Sequence, residues 1–136
     1  YQKMLSDRIR LREISEGQDF RVEADRSKIK IAVRNLIINA VEAIRGCGEI
    51  EIRLVRNRDA VRLSIRDTGT GMSPDILEKI FDPYFSTKEV GSGLGLPIAR
   101  KIIEDHAGTI KAESEVGRGT TILITLPAPA PDVASE

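Results

Sequence analysis

The sequence predicts an α/β (α+β) domain, a two-layer sandwich in which one mixed, five-stranded sheet carries about three helices on one face. Two observations lead to this class. Apolar residues alternate along several short segments, as in strands, and recur every three or four residues along two longer ones, as in helices. The segments follow in the order strands, helix, hairpin, helix, hairpin, which lets neighbouring strands pair and leaves helices on one side.

The first alternating segments lie near the start of the chain. Residues 9–14 form one and residues 20–24 form another, with the turn residues 16–19 between them. We expect two strands here. Residues 1–8 fit the stump of an upstream helix or linker, so the domain is predicted to begin at residue 9.

Helical spacing starts after Asp25, a residue type that caps helix N-termini. Apolar residues then recur from Ile29 to Ile44, with Leu36 and Ala40 in the predicted core stripe. Glycines at positions 46 and 48 are expected to stop this helix.

The rest of the chain alternates hairpins with helices. Pro74 suits the first turn of a short helix, and Gly108 is expected to close the last one. Residues 82–93 form a long loop, and the Pro/Ala-rich residues 127–136 form a tail outside the domain of residues 9–126. The predicted elements are strands over 50–54, 61–65, 109–114 and 120–126 and helices over 74–80 and 94–106.

Composition limits the class of protein. At 136 residues, with 21 basic and 21 acidic side chains and a pI near 6.8, the chain suits one domain and lacks the basic excess of a nucleic-acid binder. Cys47 is the only cysteine and cannot form an internal disulfide. No apolar run approaches the roughly twenty residues that span a bilayer. We expect a cytoplasmic domain without membrane contact, whose longer parent can still be membrane-anchored.

The first long helix carries a polar line opposite its core stripe. Asn35, Asn39 and Glu42 align on one side, flanked by Ile31 and Ile38. A solvated face favours Lys and Glu over this mixture, so something polar is expected to cover it. An asparagine carbonyl suits Mg²⁺, which binds few protein groups together with phosphate oxygens and water. A structural role for the asparagines remains the alternative.

Asp67 follows the predicted strand over residues 61–65. Its carboxylate can accept a hydrogen bond from an exocyclic amino group, which adenine presents and guanine lacks at the equivalent position. Gly69 and Gly71 permit positive φ and close approach of the backbone to a flat base. Taken by themselves, these residues also fit a plain Asp-Gly turn.

Two further patterns lie at the two ends of the long loop. Gly91, Gly93 and Gly95 alternate before an apolar helix, whose N-terminal N–H groups can hold phosphate. Neither a P-loop nor a dinucleotide fingerprint is present, because no Gly-Lys-Ser/Thr follows and no strand leads in directly. Three of the five Phe and Tyr residues fall within residues 81–85, where a movable lid is one way to cover them. Lys88 could then place its charge on a terminal phosphate, unless it is simply solvated.

In this order the segments resemble the ATP-binding catalytic (HATPase_c) domain of sensor histidine kinases, in the GHKL superfamily that includes gyrase and the mismatch-repair ATPases. The resemblance covers residues 9–126. Its asparagine box, first glycine box, phenylalanine box, second glycine box and third glycine box correspond to residues 35–43, 67–71, 81–88, 91–96 and 117–120. The phenylalanine box has a form similar to that of nitrogen-regulation kinases.

The resemblance implies a Bergerat-type fold with ATP and Mg²⁺ as ligands. It implies that Asn39 holds Mg²⁺, Asp67 reads adenine and Lys88 approaches the γ-phosphate, while residues 82–96 form the lid. Catalytic roles would fall to Asn35, Asn39 and Lys88. The implied nucleotide contacts are Asn39, Glu42, Asp67, Gly69, Gly71, Met72, Ile80, Phe85, Lys88, Gly91, Ser92, Gly93, Leu94, Gly95, Leu96 and Thr120.

One position distinguishes the branches of the superfamily. Its hydrolytic members place a water-activating Glu four residues before the metal-binding Asn, where this chain has Asn35. A histidine acceptor needs no such base, because neutral imidazole already offers a nitrogen lone pair. The resemblance therefore implies phosphoryl transfer to histidine rather than hydrolysis.

The acceptor histidine is expected on another domain. His106 is the only histidine here, and its surroundings lack the His-Glu-x-x-x-Pro context of the family's phosphorylated helix. The expected partners are a helical dimerisation and phosphoacceptor domain of a homodimeric parent kinase, and then a response regulator. Two other classes remain as alternatives, an anti-sigma-type serine kinase and a non-catalytic nucleotide-binding module.

Overall fold

The computed structural model describes residues 2–4, 8–17, 20, 22, 24–82 and 95–129. Within these ranges no helix is long and apolar enough to cross a bilayer. The strands are β1 (Gln2–Met4), β2 (Ile9–Glu16), β3 (Gly48–Arg56), β4 (Ala60–Asp67), β5 (Thr109–Glu115) and β6 (Gly119–Pro127), and the helices are α1 (Arg26–Ala43), α2 (Pro74–Leu77) and α3 (Gly95–Asp105).

The strands form one mixed sheet in the order β1-β2-β3-β4-β6-β5. Among the described strands only β2 and β3 run parallel, with Ile9 opposite Gly48, and α1 makes the crossover between them. The remaining pairs are antiparallel. The predicted mixed sheet is confirmed, and β4 lies in its middle.

The start of the chain differs from the prediction. Gln2–Met4 pair with β2 as a sixth, edge strand, where the end of a helix was expected. The predicted strand over residues 20–24 is not formed at Phe20, Val22 or Ala24. The reason is that β1 and β3 occupy both edges of β2, so no ladder remains for another strand, and Val22 packs against the core instead.

The core lies between the sheet and the helices. The inward strand residues alternate with exposed ones, so that Ile65 is buried while Arg62 and Arg66 face solvent. The predicted core stripe of α1 is confirmed, since Leu36, Ala40 and Ile44 are buried. From the other elements, the buried residues that pack with this stripe include Ile9, Ile50, Ile80, Leu96, Ala99, Ile103, Ile122 and Ile124.

The helix boundaries follow local capping chemistry. Asp25 is the N-cap of α1, as predicted, and its Oδ1 accepts from the Lys28 N–H at 3.1 Å. The helix ends at Ala43, before the glycines expected to stop it. Helix α2 starts at Pro74, with Ser73 as its N-cap, and ends after a single turn at Leu77 rather than continuing to residue 80.

The end of α3 corrects the expected role of Gly108. The Gly108 N–H donates to Ile103 O at 2.9 Å and the Ala107 N–H donates to Glu104 O at 3.0 Å, which is a Schellman arrangement. The left-handed residue is Ala107, with φ of 60°. Gly108 is needed for packing, because a Cβ there would lie 2.6 Å from Thr125 O.

His106 ties the two long helices together. Its Nδ1 lies 2.7 Å from Ile102 O, and its Nε2 accepts from the Asp25 N–H at 3.0 Å. A neutral ring protonated on Nδ1 satisfies both contacts. Both ring nitrogens are thus engaged within the fold, in agreement with a structural role.

We expect His106→Ala to lower the free energy of unfolding by about 1–2 kcal/mol, because it removes the hydrogen bond from the α1 N-cap, Asp25, to α3 and the local bond to Ile102 O. Urea unfolding followed by circular dichroism measures this difference. The matched control is Lys101→Ala, which removes only an exposed ion pair to Asp105 and should change stability little. Equal effects of the two substitutions would contradict the structural role.

Candidate nucleotide-binding site

Asp67 ends β4 on the helix-covered side of the sheet and is buried, with 4% of its surface exposed. Its Oδ1 accepts from the Gly69 N–H at 2.8 Å and from the Thr120 N–H at 3.3 Å. In the part of the chain that the structure describes, Oδ2 accepts no such bond. The carboxylate is therefore oriented by one oxygen and can offer the other to a ligand.

Burial also changes the acidity of this carboxylate. Removal from water raises the pKa of Asp67 above its usual range, since desolvation disfavours the charged form. The N–H donors of Gly69 and Thr120 lower the pKa, but their effect is smaller than that of burial. A buried carboxylate with a perturbed pKa and one uncommitted oxygen is typical of a ligand-binding group.

A hydroxyl pair supports Asp67 from the neighbouring hairpin. Thr120 lies opposite Asp67 across β4 and β6, is 5% exposed, and places its Oγ1 2.8 Å from the Ser114 Oγ. Ser114 also accepts from the Met72 N–H at 2.8 Å and donates to Gly119 O at 3.0 Å. Sequence reasoning missed Ser114; its only signal is its register opposite Thr120 on β5 and β6.

Two glycines let the backbone close tightly around this turn. Gly71 has φ of 73°, and a Cβ on it would lie 2.0 Å from Glu115 O. Gly119 has φ of 123°, and its Cβ would lie 2.0 Å from Asp67 O. The first and third glycine boxes therefore pack against each other, and the Gly117 N–H adds a bond to Thr70 O at 2.8 Å.

The prediction for Gly69 was wrong in its conformation. This residue does not have a positive φ. A Cβ there would lie 2.5 Å from Ala43 O, so its close approach is to the end of α1. Ala43 O also accepts from the Thr70 N–H at 3.0 Å. Helix α1, which carries the asparagine box, is thus bonded directly to the turn that follows Asp67.

On α1, Asn35 and Asn39 are half-buried and Glu42 is exposed, on the side away from the core stripe. A Cβ built on Gly95, the first residue of α3, would lie 4.0 Å from the Cβ of Asn35. The helix that follows the second glycine box therefore begins beside the asparagine box. The flanking Ile31 and Ile38 are 48% and 42% exposed.

The remaining predicted site residues divide into two groups. Met72 is half-buried, and Ile80 and Leu96 belong to the buried core below the turn. Phe81 stacks under the Arg100 guanidinium, 5.6 Å from ring centroid to Cζ. Most of the lid predicted over residues 82–96 lies outside the described residues, namely residues 83–94, and with it Phe85, Lys88, Gly91, Ser92, Gly93 and Leu94.

Residues 24–130 match the protein family described as histidine kinase-, DNA gyrase B-, and HSP90-like ATPase. The chain belongs to this family. Its ATPase domain is of a class that binds ATP. The bounds of 9–126 inferred from the sequence, and the likeness to nitrogen-regulation kinases, stay predictions.

The relatives of this ATPase domain are sensor kinases. It is 39% identical to the sensor histidine kinase ZraS of Escherichia coli strain K12 over 78% of the chain, and 42% identical to sporulation kinase B of Bacillus subtilis strain 168 over 83%. The chain spans only 23% and 27% of those two proteins.

Solved structures give the same fold. The catalytic domain of histidine kinase ThkA aligns with a TM-score of 0.75 and 41% identity, over 86% of this chain and 78% of that one. ThkA in complex with the response regulator TrrA aligns with a TM-score of 0.76 and 38% identity, over 89% of this chain and 34% of that one. The sandwich and its helix-covered face are therefore those of histidine kinase catalytic domains.

Proposed function

We propose that this domain is the catalytic part of a two-component sensor histidine kinase, which binds ATP with Mg²⁺ and transfers the γ-phosphoryl group to a histidine on a separate helical domain. The observation that carries the proposal is the contact between α1, which carries Asn35 and Asn39, and residues 67–71, the base-reading turn that contains Asp67. The Thr70 N–H to Ala43 O bond holds these elements together one helical turn beyond Asn39.

Asp67 reads the base in this proposal. Its Oδ1 is held by two backbone donors, so its Oδ2 can accept from the exocyclic amino group of adenine. Thr120 and Ser114 keep the adjoining backbone in place through their hydroxyl pair. Guanine presents an oxygen acceptor at that position, which would face the carboxylate without a proton between them.

The phosphate end lies along α1. Among the described residues, no three or more His, Cys, Asp or Glu side chains come together as a metal site. The half-buried amide of Asn39 instead fits an ion that takes most of its ligands from phosphate and water. Mg²⁺, when bound, would neutralise charge on the phosphate oxygens. Asn35 beside Gly95, together with Lys88, would orient the phosphate chain, and the α3 N-terminus favours its negative charge.

Transfer then depends on positioning. A nitrogen of the acceptor imidazole forms a bond to the γ-phosphorus while the bond to the β,γ-bridging oxygen breaks, and ADP leaves with that electron pair. No residue of this chain has to act as a base, because the attacking nitrogen already carries a free lone pair and no proton. Asn35, in place of a carboxylate, leaves water without a general base, which favours transfer over hydrolysis.

The proposed partners follow from the acceptor. Both ring nitrogens of His106 are engaged, so the substrate histidine belongs to a dimerisation and phosphoacceptor domain of a homodimeric parent. The complex of ThkA with a response regulator supports a response regulator as the next partner. The domain would work on the cytoplasmic side, where ATP is available.

We expect the domain to phosphorylate the helical module of its parent when the two are mixed with labelled ATP and Mg²⁺. The product should be acid-labile and base-stable, as a phosphoramidate is. The domain alone should hydrolyse ATP slowly and carry no label.

Rapid ATP turnover by the lone domain, or label on His106, would contradict the proposal. An acid-stable and base-labile product would indicate a serine kinase. ADP binding without any transfer would indicate a non-catalytic nucleotide-binding module.

A further inference from the structure

Arg8 precedes β2 and forms hydrogen bonds with residues 44–48, which connect α1 to β3. Its Nη1 donates to Ile44 O at 2.8 Å and to Gly46 O at 2.9 Å, two carbonyls just beyond the helix end. Its own carbonyl accepts from the Gly48 N–H at 2.9 Å. A cation here also suits the negative end of the helix dipole. One residue thus fixes three successive points of residues 44–48.

The residues on either side of this connection contact the turn that follows Asp67. Thr68 and Glu49 form two hydrogen bonds, from the Thr68 N–H to Glu49 O at 3.1 Å and from the Glu49 N–H to Thr68 Oγ1 at 2.9 Å. Thr70 is bonded to Ala43 O, and Gly69 lies against Ala43 with no room for a Cβ. Residues 44–48 therefore bind Arg8 directly, and the residues at their two ends, Ala43 and Glu49, are bonded to the turn that follows Asp67.

We propose that Arg8 is a positioning residue for the carboxylate of Asp67, acting through the end of α1. This inference rests on the proposed function. Without the guanidinium, the carbonyls of residues 44 and 46 turn toward water and the helix end loosens. Ala43 then holds Thr70 less firmly, and the Gly69 N–H is no longer fixed on Asp67 Oδ1. The carboxylate loses orientation although no group that touches the nucleotide has changed.

The test measures ADP and GDP affinities by calorimetry for the wild type, Arg8→Gln, Arg8→Lys and Arg10→Gln. Arg8→Gln removes the charge and the reach to both carbonyls. Arg8→Lys can restore both bonds, because they come from a single nitrogen, Nη1. Arg10→Gln is the matched control, since Arg10 is exposed and lies 4.0 Å from its partner Glu49. Urea unfolding confirms that every variant is folded during the titrations.

We expect Arg8→Gln to weaken ADP binding by about threefold to tenfold, the effect of a loosened hydrogen bond, and to reduce the preference for ADP over GDP. Arg8→Lys should recover most of the affinity, and Arg10→Gln should match the wild type. Equal weakening of ADP and GDP would point to a simple charge effect and overturn the inference. So would unchanged ADP affinity in Arg8→Gln. A wild type that binds no ADP would remove the proposed function itself, and the inference with it.

A second measurement needs no variant. Because coupling is reciprocal, ADP binding should stabilise the contacts of Arg8 in return. The Gly48 amide, which donates to Arg8 O, should exchange its hydrogen several-fold more slowly with ADP than without it. The Asn57 amide, which is bonded to Ala60 O in the β3–β4 turn, is the internal control and should not change. Equal or absent slowing at both amides would overturn the inference even if Arg8→Gln failed to fold.

Discussion

Asp67→Asn is expected to abolish the preference for adenine and to favour guanine. The two backbone donors on Oδ1 will hold the amide oxygen of the variant, which turns its NH₂ to the position of Oδ2. That NH₂ faces the adenine amino group donor to donor, whereas guanine presents an acceptor there. We expect ATP affinity to fall by roughly a hundredfold or more, because a buried polar group loses its partner.

Calorimetric titration with ATP and GTP measures both effects. Asp59→Asn is the matched control, since Asp59 is an exposed aspartate at the opposite end of β4. It should bind ATP as the wild type does. An Asp67→Asn variant with unchanged ATP affinity would remove the base-reading role of the carboxylate.

The same substitution should not weaken the empty protein. Because burial raises the pKa of Asp67 above its unfolded value of 3.8, the folded state holds this proton to a higher pH than the unfolded chain does. The contribution of this carboxyl to stability is then full below the unfolded pKa and is lost as pH rises through the folded pKa. At neutral pH, Asp67→Asn should unfold in urea at the same or a higher concentration than the wild type. ATP affinity should fall as acid protonates Asp67.

Asn39→Ala is expected to abolish phosphoryl transfer while leaving the base site intact. It removes the amide oxygen proposed to hold Mg²⁺ beside the phosphates. Losing one preorganised group that stabilises transition-state charge slows transfer by roughly a hundredfold or more. ADP binding in EDTA should change little, because Asp67 and Thr120 remain in place.

Transfer of label to the helical module of the parent measures the rate. Asn57→Ala is the matched control, as Asn57 is an exposed asparagine in the β3–β4 turn. Transfer by Asn39→Ala at the wild-type rate would show that another group holds the metal. Equal losses of transfer and of metal-free ADP binding would indicate a damaged fold instead.

Helices and strands with a long, regular pattern of apolar residues were predictable from the sequence. Helices α1 and α3 each present several turns of apolar residues to the sheet, and β3 to β6 alternate over seven to nine residues. Strand β1 has only three residues, too few for any pattern, and it forms because β2 offers it an open edge. Residues 20–24 alternate correctly but find both edges of β2 occupied. Such competition for partners is a tertiary effect.

Site residues were predictable where the side chain itself suggested chemistry. Asp67, Thr120 and the asparagines of α1 belong to this group, and the structure brings the first two together through a direct hydrogen bond. Ser114 and Arg8 act by contacting backbone atoms that are distant in sequence. Neither has a local signal, since a serine in a hairpin and an arginine before a strand are ordinary solvent-facing residues. Their roles depend on register and on where a helix ends.

The central place of β4 bears on how a nucleotide leaves. A strand paired on both sides along its whole length exchanges its amides only when the entire domain opens, whereas short edges and helix ends open at much lower cost. The base would thus be held by the strand that opens most slowly, and the phosphates by the surface of α1 and the predicted loop over residues 82–93. Release of ADP should accordingly begin at the phosphate end, with the adenine as the last group to leave.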